Sequence, residues 1–270
     1  MTPNILRYDP LLEPYAADIA ARMARFRDKR RALVGEGTLY DFANGYRYFG
    51  FHHEADGWVY REWAPAAERM YVTGDFAHWD MTAYEMTRLD GGVFEIRLGD
   101  RLQPGQKVQA IVSHHGALLR RIPAYATRVV QDPTTYLWCA EVRETVCDYA
   151  WSDDDFTMPR TPLIYECHIG MAQDKYGVGT YAEFAQSVLP RIRDAGYNTI
   201  QIMAVAEHPY YGSFGYQVSN FYAPSSRFGT AEELKDLINT AHGMGLAVLL
   251  DIVHSHAVSN TVEGLGEFDG

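Results

Sequence analysis

Positive charge is scarce in this chain. Its 270 residues carry 24 lysines and arginines against 35 aspartates and glutamates, a net charge of −11. Such a surface repels a phosphate backbone, so nucleic acid is not an expected partner. Cysteine is scarce too. Cys139, Cys147 and Cys167 are odd in number and lack the spacing of a disulfide framework, so they read as reduced thiols of a cytoplasmic protein. No apolar run approaches the length of a membrane span, so no membrane partner is expected. The opening MTPNILRYDP has no basic segment followed by an apolar one, as a secretory signal requires. Internal repeats and low-complexity stretches are absent. Aromatics, by contrast, are plentiful: Phe, Trp and Tyr make up 13% of the chain. Their faces suit sugar rings, but they fill cores equally well, and composition alone selects no function.

Three blocks follow one another. In residues 1–45, Leu12, Tyr15, Ile19, Met23 and Phe26 recur at helical spacing and predict an amphipathic helix ending in the charged run RFRDKRR. Residues 46–150 hold short alternating runs (WVYREWAP, RMYVTGDF, VFEIRLG, KVQAIVSH) separated by turn signals, the pattern of an antiparallel β-sandwich. The polar seam SDDDFTMPRTP leads into residues 151–270, where the period changes. LIYECHIG, NTIQIM and LAVLLDIV read as strands. Between them lie two helices, TYAEFAQSVLPRIRDAGYN and TAEELKDLINTAHGMG, each opened by a capping box, Thr180 with Glu183 and Thr230 with Glu233. The first presents Phe184, Val188 and Ile192 as its apolar face. The order β-α-β-α-β predicts a parallel sheet, and the nearly all-apolar third strand predicts cover on both faces.

Ligands of such sheets bind beyond the carboxyl ends of the strands. Asp251, His254 and His256 fall at one such end in LAVLLDIVHSHAVSN, and the long aromatic loop 204–229 falls at another. The residues alone leave two readings open. Asp251 caps backbone amides among ordinary loop histidines. Or His254 and His256 begin the ligand set of a metal-dependent hydrolase, with His168 and His208 in reach of strand ends.

The motifs LLDIVHSHA and EHPYYGSFGYQVSNFYAPSSRFGTAEELKDLINTAHGMG resemble the α-amylase superfamily, and most closely its glycogen and starch branching enzymes of the eukaryotic type. Ser255 stands where many amylases have Asn and matches the branching-enzyme form. REWAPAAERMYVTGDFAHWD resembles the amino-terminal carbohydrate-module sandwich of the same enzymes, and YDPLLEPYAADIAARM their leading helix. The resemblance covers the chain in consecutive order. It implies a leading helix, a sandwich and the first three β/α units of a (β/α)8 barrel.

By this resemblance the enzyme cleaves an α-1,4-glucan chain, holds it covalently, and passes it to a 6-hydroxyl. Retaining chemistry of this kind uses two carboxyl groups about 5 Å apart. In the family these follow the fourth and fifth strands, so no catalytic residue is expected in this chain, which is expected to be inactive alone. A complete barrel takes roughly 250 residues, and only about 110 follow the seam. The resemblance assigns substrate contacts to His256, to Asp251 as organiser of the strand end, and to Tyr216, whose ring lies against the glucose. Trp63 and Trp79 are candidate glucan contacts of the sandwich, or else buried between its sheets. The implied partner is an α-1,4-glucan such as glycogen or amylose; no cofactor and no metal are implied. A non-catalytic glucan-binding protein is the alternative function.

Overall fold

The computed structural model describes residues 4–144 and 149–270; Cys147 lies outside them. The chain divides into two compact units, Met1–Tyr48 and Phe49–Gly270.

In the first unit, helix α1 (Ala16–Val34) ends at Gly35, and the short helix α2 (Leu39–Phe42) is opened by a Thr38–Asp41 capping box. The expected amphipathic helix begins later than its pattern. Leu12 and Tyr15 fall in a preceding 3-10 turn, Pro10–Tyr15, where Pro14 cannot donate the backbone bond that a regular helix needs. Nothing in α1 is buried, and Met23 and Phe26 are exposed.

The second unit begins with two antiparallel sheets. One contains β1 (Gly50–Glu54), β2 (Gly57–Trp63), β4 (Thr87–Arg88) and β5 (Val93–Gly99), in the order β1-β2-β5-β4. The other contains β3 (Arg69–Gly74), β6 (Lys107–His114), β8 (Val129–Gln131) and β9 (Trp138–Glu141), in the order β3-β6-β9-β8, with β7 (Ala117–Arg121) also paired to β6. Period-two alternation builds the core between them: Trp58 and Tyr60 from β2 meet Met70, Val72, Phe94, Leu98, Val108 and Val112. Two residues from far along the chain join this core, Ala223 and Phe268. Phe268 is held there by Arg121, whose Nε donates to its carbonyl at 3.1 Å and whose Nη2 donates to the Glu267 carbonyl at 2.9 Å. The Asp269 carboxylate in turn accepts the Ala66 amide at 2.8 Å. The sandwich core is therefore not built from residues 46–150 alone.

The seam is tied down rather than free. Tyr149 Oη donates to Asp236 at 2.6 Å, the Ser152 amide donates to Asn239 at 3.0 Å, and Asp153 contacts His242 Nδ1 at 2.6 Å. All three partners lie on helix α5 (Ala231–Gly243), whose solvent face offers the seam the hydrogen bonds it cannot make within itself.

Beyond the seam, β10 (Ile164–Cys167), β11 (Thr199–Ile202) and β14 (Ala247–Leu250) form a parallel sheet in register. The predicted helix of residues 180–195 is two helices, α3 (Tyr181–Ser187) and α4 (Leu189–Asp194). Pro190 has no amide hydrogen to continue the ladder, so the chain turns at Val188. Phe184, Val188 and Ile192 are nonetheless all buried, and both capping boxes form. With Leu234 and Leu237 of α5 they pack on Cys167, Ile200 and Ile202. Cover on both faces was expected. Instead only the central strand β11 is largely buried, and Ile164, Tyr165 and Leu250 on the outer strands β10 and β14 remain 44%, 39% and 42% exposed; Tyr165 and Leu250 share the face of Ile200 and Ile202 by register, so the exposure belongs to the edges of the sheet. A short antiparallel pair, β12 (Ala206–Glu207) with β13 (Asn220–Pro224), frames the loop after β11. Among the described residues no helix is long and apolar enough to cross a membrane.

Candidate substrate site at the parallel strand ends

β14 stops at Leu250, earlier than the apolar run predicts, so Asp251 is the first residue past the strand. Its amide still donates to the Ile202 carbonyl at 3.1 Å, which keeps it at the carboxyl edge of β11. The loop after β11 returns to the same edge. Phe214 and Gly215 take left-handed backbone angles. At Gly215 a Cβ would lie 1.9 Å from the Ala204 carbonyl oxygen, so only glycine permits this close approach. The next residue, Tyr216, is thereby aimed at the strand end, and its hydroxyl donates to Asp251 Oδ2 at 2.8 Å. That bond, then burial, pushes the Tyr216 phenol up to about 12. The ring is fixed by its own hydroxyl while remaining only half-buried.

His256 is exposed, and no direct bond joins it to Tyr216 or Asp251. Its backbone nevertheless runs beside the tyrosine's. Val218 and Ala257 form a parallel bridge, and the Val258 amide donates to the Val218 carbonyl at 2.9 Å. The three predicted residues thus lie on segments laced together, two of them in contact. His254 points elsewhere and stacks on Phe221 at 5.9 Å. His168 and His208 are buried, and burial lowers the pKa of each. Among the described residues no group of three or more His, Cys, Asp or Glu is placed to hold a metal ion, so the metal-hydrolase reading finds no ligand set.

Burial between the sheets, the alternative for the two tryptophans, does not occur. Trp58 and Tyr60 point inward along β2, so parity sends Trp63 out; it is 56% exposed, with Nε1 donating to the Gly91 carbonyl at 3.1 Å. Trp79 is half-buried on the turn after β3, its Nε1 donating to Asp75 at 3.2 Å. Trp63 lines a cavity of about 560 Å³ with Glu62, Tyr125, Phe221, Tyr222 and His254; Trp79 does not. Tyr125 and Tyr222 stack there at 4.7 Å. Glu62 is a buried carboxyl, pushed to about 7 by burial although the Ala124 and Trp63 amides and the Tyr60 hydroxyl donate to it. Sequence reasoning missed Glu62, Tyr125 and Tyr222. The one available signal was Glu62, a carboxylate at an inward position of an alternating strand.

Residues 48–133 match the carbohydrate-binding module 48 (isoamylase N-terminal domain) family, and residues 173–263 match the alpha amylase catalytic domain family. A 1,4-alpha-glucan-branching enzyme of Yarrowia lipolytica is 43% identical over all of this chain and 41% of its own length. The chain resembles the amino-terminal part of a 1,4-alpha-glucan-branching enzyme. That of Felis catus is 42% identical over 99% of this chain and 40% of its own. The chain therefore spans about two fifths of the branching enzymes it matches, which come from a fungus and an animal. The structure of the GBS pullulanase SAP in complex with maltotetraose is similar in fold, with a TM-score of 0.64 at 17% identity over 84% of this chain and 35% of that one. The fold is thus a carbohydrate-module sandwich followed by the start of an alpha amylase type of catalytic domain, as the branching-enzyme resemblance implies.

Proposed function

We propose that this chain is part of a glucan branching enzyme that cleaves α-1,4-glucan chains and transfers them to a 6-hydroxyl, making α-1,6 branches. The observation that carries the proposal is the Tyr216–Asp251 hydrogen bond beyond the parallel strands. A ring held by its own hydroxyl presents a flat apolar face without conformational cost, and the C–H face of a pyranose packs on it. Asp251 fixes that ring, and His256, on the adjoining segment, donates to a sugar hydroxyl. No carboxylate here is proposed as nucleophile or proton donor. Glu207 is buried among backbone amides and hydroxyls, and Glu263 accepts from Asn260.

We further take residues 1–45 as a helical segment, 46–150 as a carbohydrate-binding module and 151–270 as the first part of the barrel. The exposed Trp63 over its cavity supports a second glucan contact on the sandwich, and this surface alone would serve a non-catalytic glucan-binding protein. Trp79 is kept as a separate, weaker contact. The partner is an α-1,4-glucan, with no nucleic acid, membrane or cofactor, in the cytoplasm.

The test is an NMR titration of the chain with maltoheptaose. Shifts at Tyr216 and His256 that saturate with a dissociation constant on the order of 1 mM are expected. Shifts confined to the Trp63 cavity would leave the binding-protein reading in its place. Incubation with amylose, followed by the iodine-stain spectrum, should show no change, since the bond-breaking carboxylates are assigned to none of these residues.

A further inference from the structure

The loop that carries Tyr216 is closed at its neck by an ion pair between the buried Glu207 and the half-buried Arg227. Glu207 is fully buried and accepts from the Ser226 amide at 2.7 Å, the His208 amide at 3.1 Å and Ser225 Oγ at 3.3 Å. Its carbonyl accepts the Ser219 amide at 2.9 Å, so both ends of segment 208–219 are fastened to this residue. Arg227 lies 3.8 Å from the Glu207 carboxylate. Its two terminal nitrogens donate to the carbonyls of His208 and Pro209, the first residues of that segment.

The same guanidinium faces the other way onto the sandwich. Its carbon lies 5.1 Å from the ring centroid of Trp138 in β9. Trp138 is 6% exposed, and its carbonyl accepts from Gln109 Nε2 at 2.9 Å, so it is itself fixed in the sandwich core. A planar guanidinium can serve two carbonyls in a fixed fork while its face lies on a ring, so it ties all three in one geometry.

We propose that Arg227 is a positioning residue that couples the sandwich to the strand-end loop, so that the seating of Trp138 sets how Tyr216 meets Asp251. The value of this coupling for glucan rests on the function proposed above; the coupling itself does not. Arg227 touches no substrate group and acts only through residues 208–209 and the left-handed turn that aims Tyr216.

The test uses the full 270-residue chain labelled with 3-fluorotyrosine and read by fluorine NMR without sugar. Tyr216→Phe identifies the Tyr216 resonance, and Asp251→Asn shows where it moves when its acceptor is lost. Tyr60, buried in the sandwich, reports folding. Arg227→Gln should move the Tyr216 resonance to the Asp251→Asn position and leave Tyr60 in place. Trp138→Leu should do the same from the sandwich side, while Trp138→Phe, which keeps a ring, should leave Tyr216 unmoved. An unmoved Tyr216 in Arg227→Gln overturns the proposal. So does a response to Arg227→Gln without one to Trp138→Leu, and so does movement only when Tyr60 moves too. If Trp138→Leu unfolds the sandwich, seen as loss of the Tyr60 signal, Arg227→Gln decides alone. Failure of maltoheptaose to bind leaves the coupling standing, and failure of the coupling leaves the glucan subsite standing.

Discussion

The sandwich and the parallel sheet share one compact unit and treat their apolar faces differently. Each sheet of the sandwich covers the other, so that Tyr60, Met70, Val72, Phe94 and Val112 are all but inaccessible. The parallel sheet packs Cys167, Ile200 and Ile202 against helices, while Ile164, Tyr165 and Leu250 on its two outer strands stay partly open. The proposed substrate residues follow the second pattern. Tyr216 and Asp251 sit beyond strand ends, held to each other by a hydrogen bond rather than by enclosure, and the His256 side chain is exposed. The sandwich closes its apolar faces on one another, and the parallel sheet keeps its outer strands and their carboxyl ends open.

The comparison can be broken by measurement. Phe94→Ala, in the closed core, should cost about 3–5 kcal/mol in a denaturant melt, whereas Leu250→Ala should cost under about 1 kcal/mol. Equal losses would end the distinction. Next in size is pH. Burial raises the Glu62 carboxyl from 4.5 to about 7, so its ionised form is disfavoured in the folded chain. The contribution is fully present below pH 4.5 and is lost as pH rises through about 7, a fall of about 3 kcal/mol from 2.5 pKa units. Glu207, also raised by burial, adds a fall of the same sign, partly offset by hydrogen bonds from Ser226 and the His208 amide and, least, by the Arg227 charge. Melting temperatures across pH 5 to 8 should decline, and Glu62→Gln should flatten the decline; an unchanged slope assigns it elsewhere. Smaller again is the cap on α3: Thr180→Ala removes the side-chain acceptor for the Glu183 amide and should cost about 1 kcal/mol. Least is Trp63→Ala, within about 0.5 kcal/mol of the unmodified chain because the ring is exposed, yet expected to abolish retention in a glycogen gel. A large stability loss there would place the ring in the core after all.

Much of this was readable beforehand where one local rule governs. Alternation marks the sandwich strands, and the Thr-x-x-Glu spacing marks the starts of α3 and α5. Parity from Trp58 and Tyr60 places Trp63 outside, a deduction the sequence permitted. The division of one helix at Val188 was also available, since Pro190 is plain in the sequence; helical periodicity masked it because Phe184, Val188 and Ile192 stay on one face across the turn. What was not readable depends on pairs far apart in the chain. The Trp138–Arg227 contact, the stacking of Tyr125 on Tyr222 and the fastening of the seam to α5 join segments whose spacing carries no pattern. Of the strand-end residues, Tyr216 and Asp251 meet through a hydrogen bond between segments 35 residues apart, which no spacing foretells, while the direction of the His256 side chain is set by a loop without period.

The seating of Phe268 in the sandwich core has a consequence in time. Arg121 and its acceptor on Phe268 are 147 residues apart. A ribosome adding about 5–20 residues per second would need on the order of ten to thirty seconds to deliver that second partner. For most of that interval, once β9 has followed Arg121, the sandwich strands are complete, yet the Phe268 place in their core is empty and the Arg121 guanidinium reaches only the carbonyl of its neighbour Arg120. The emerging chain thus carries a nearly finished domain that waits for its last piece, and any halt in synthesis before Phe268 leaves apolar surface open to solvent and to neighbouring chains.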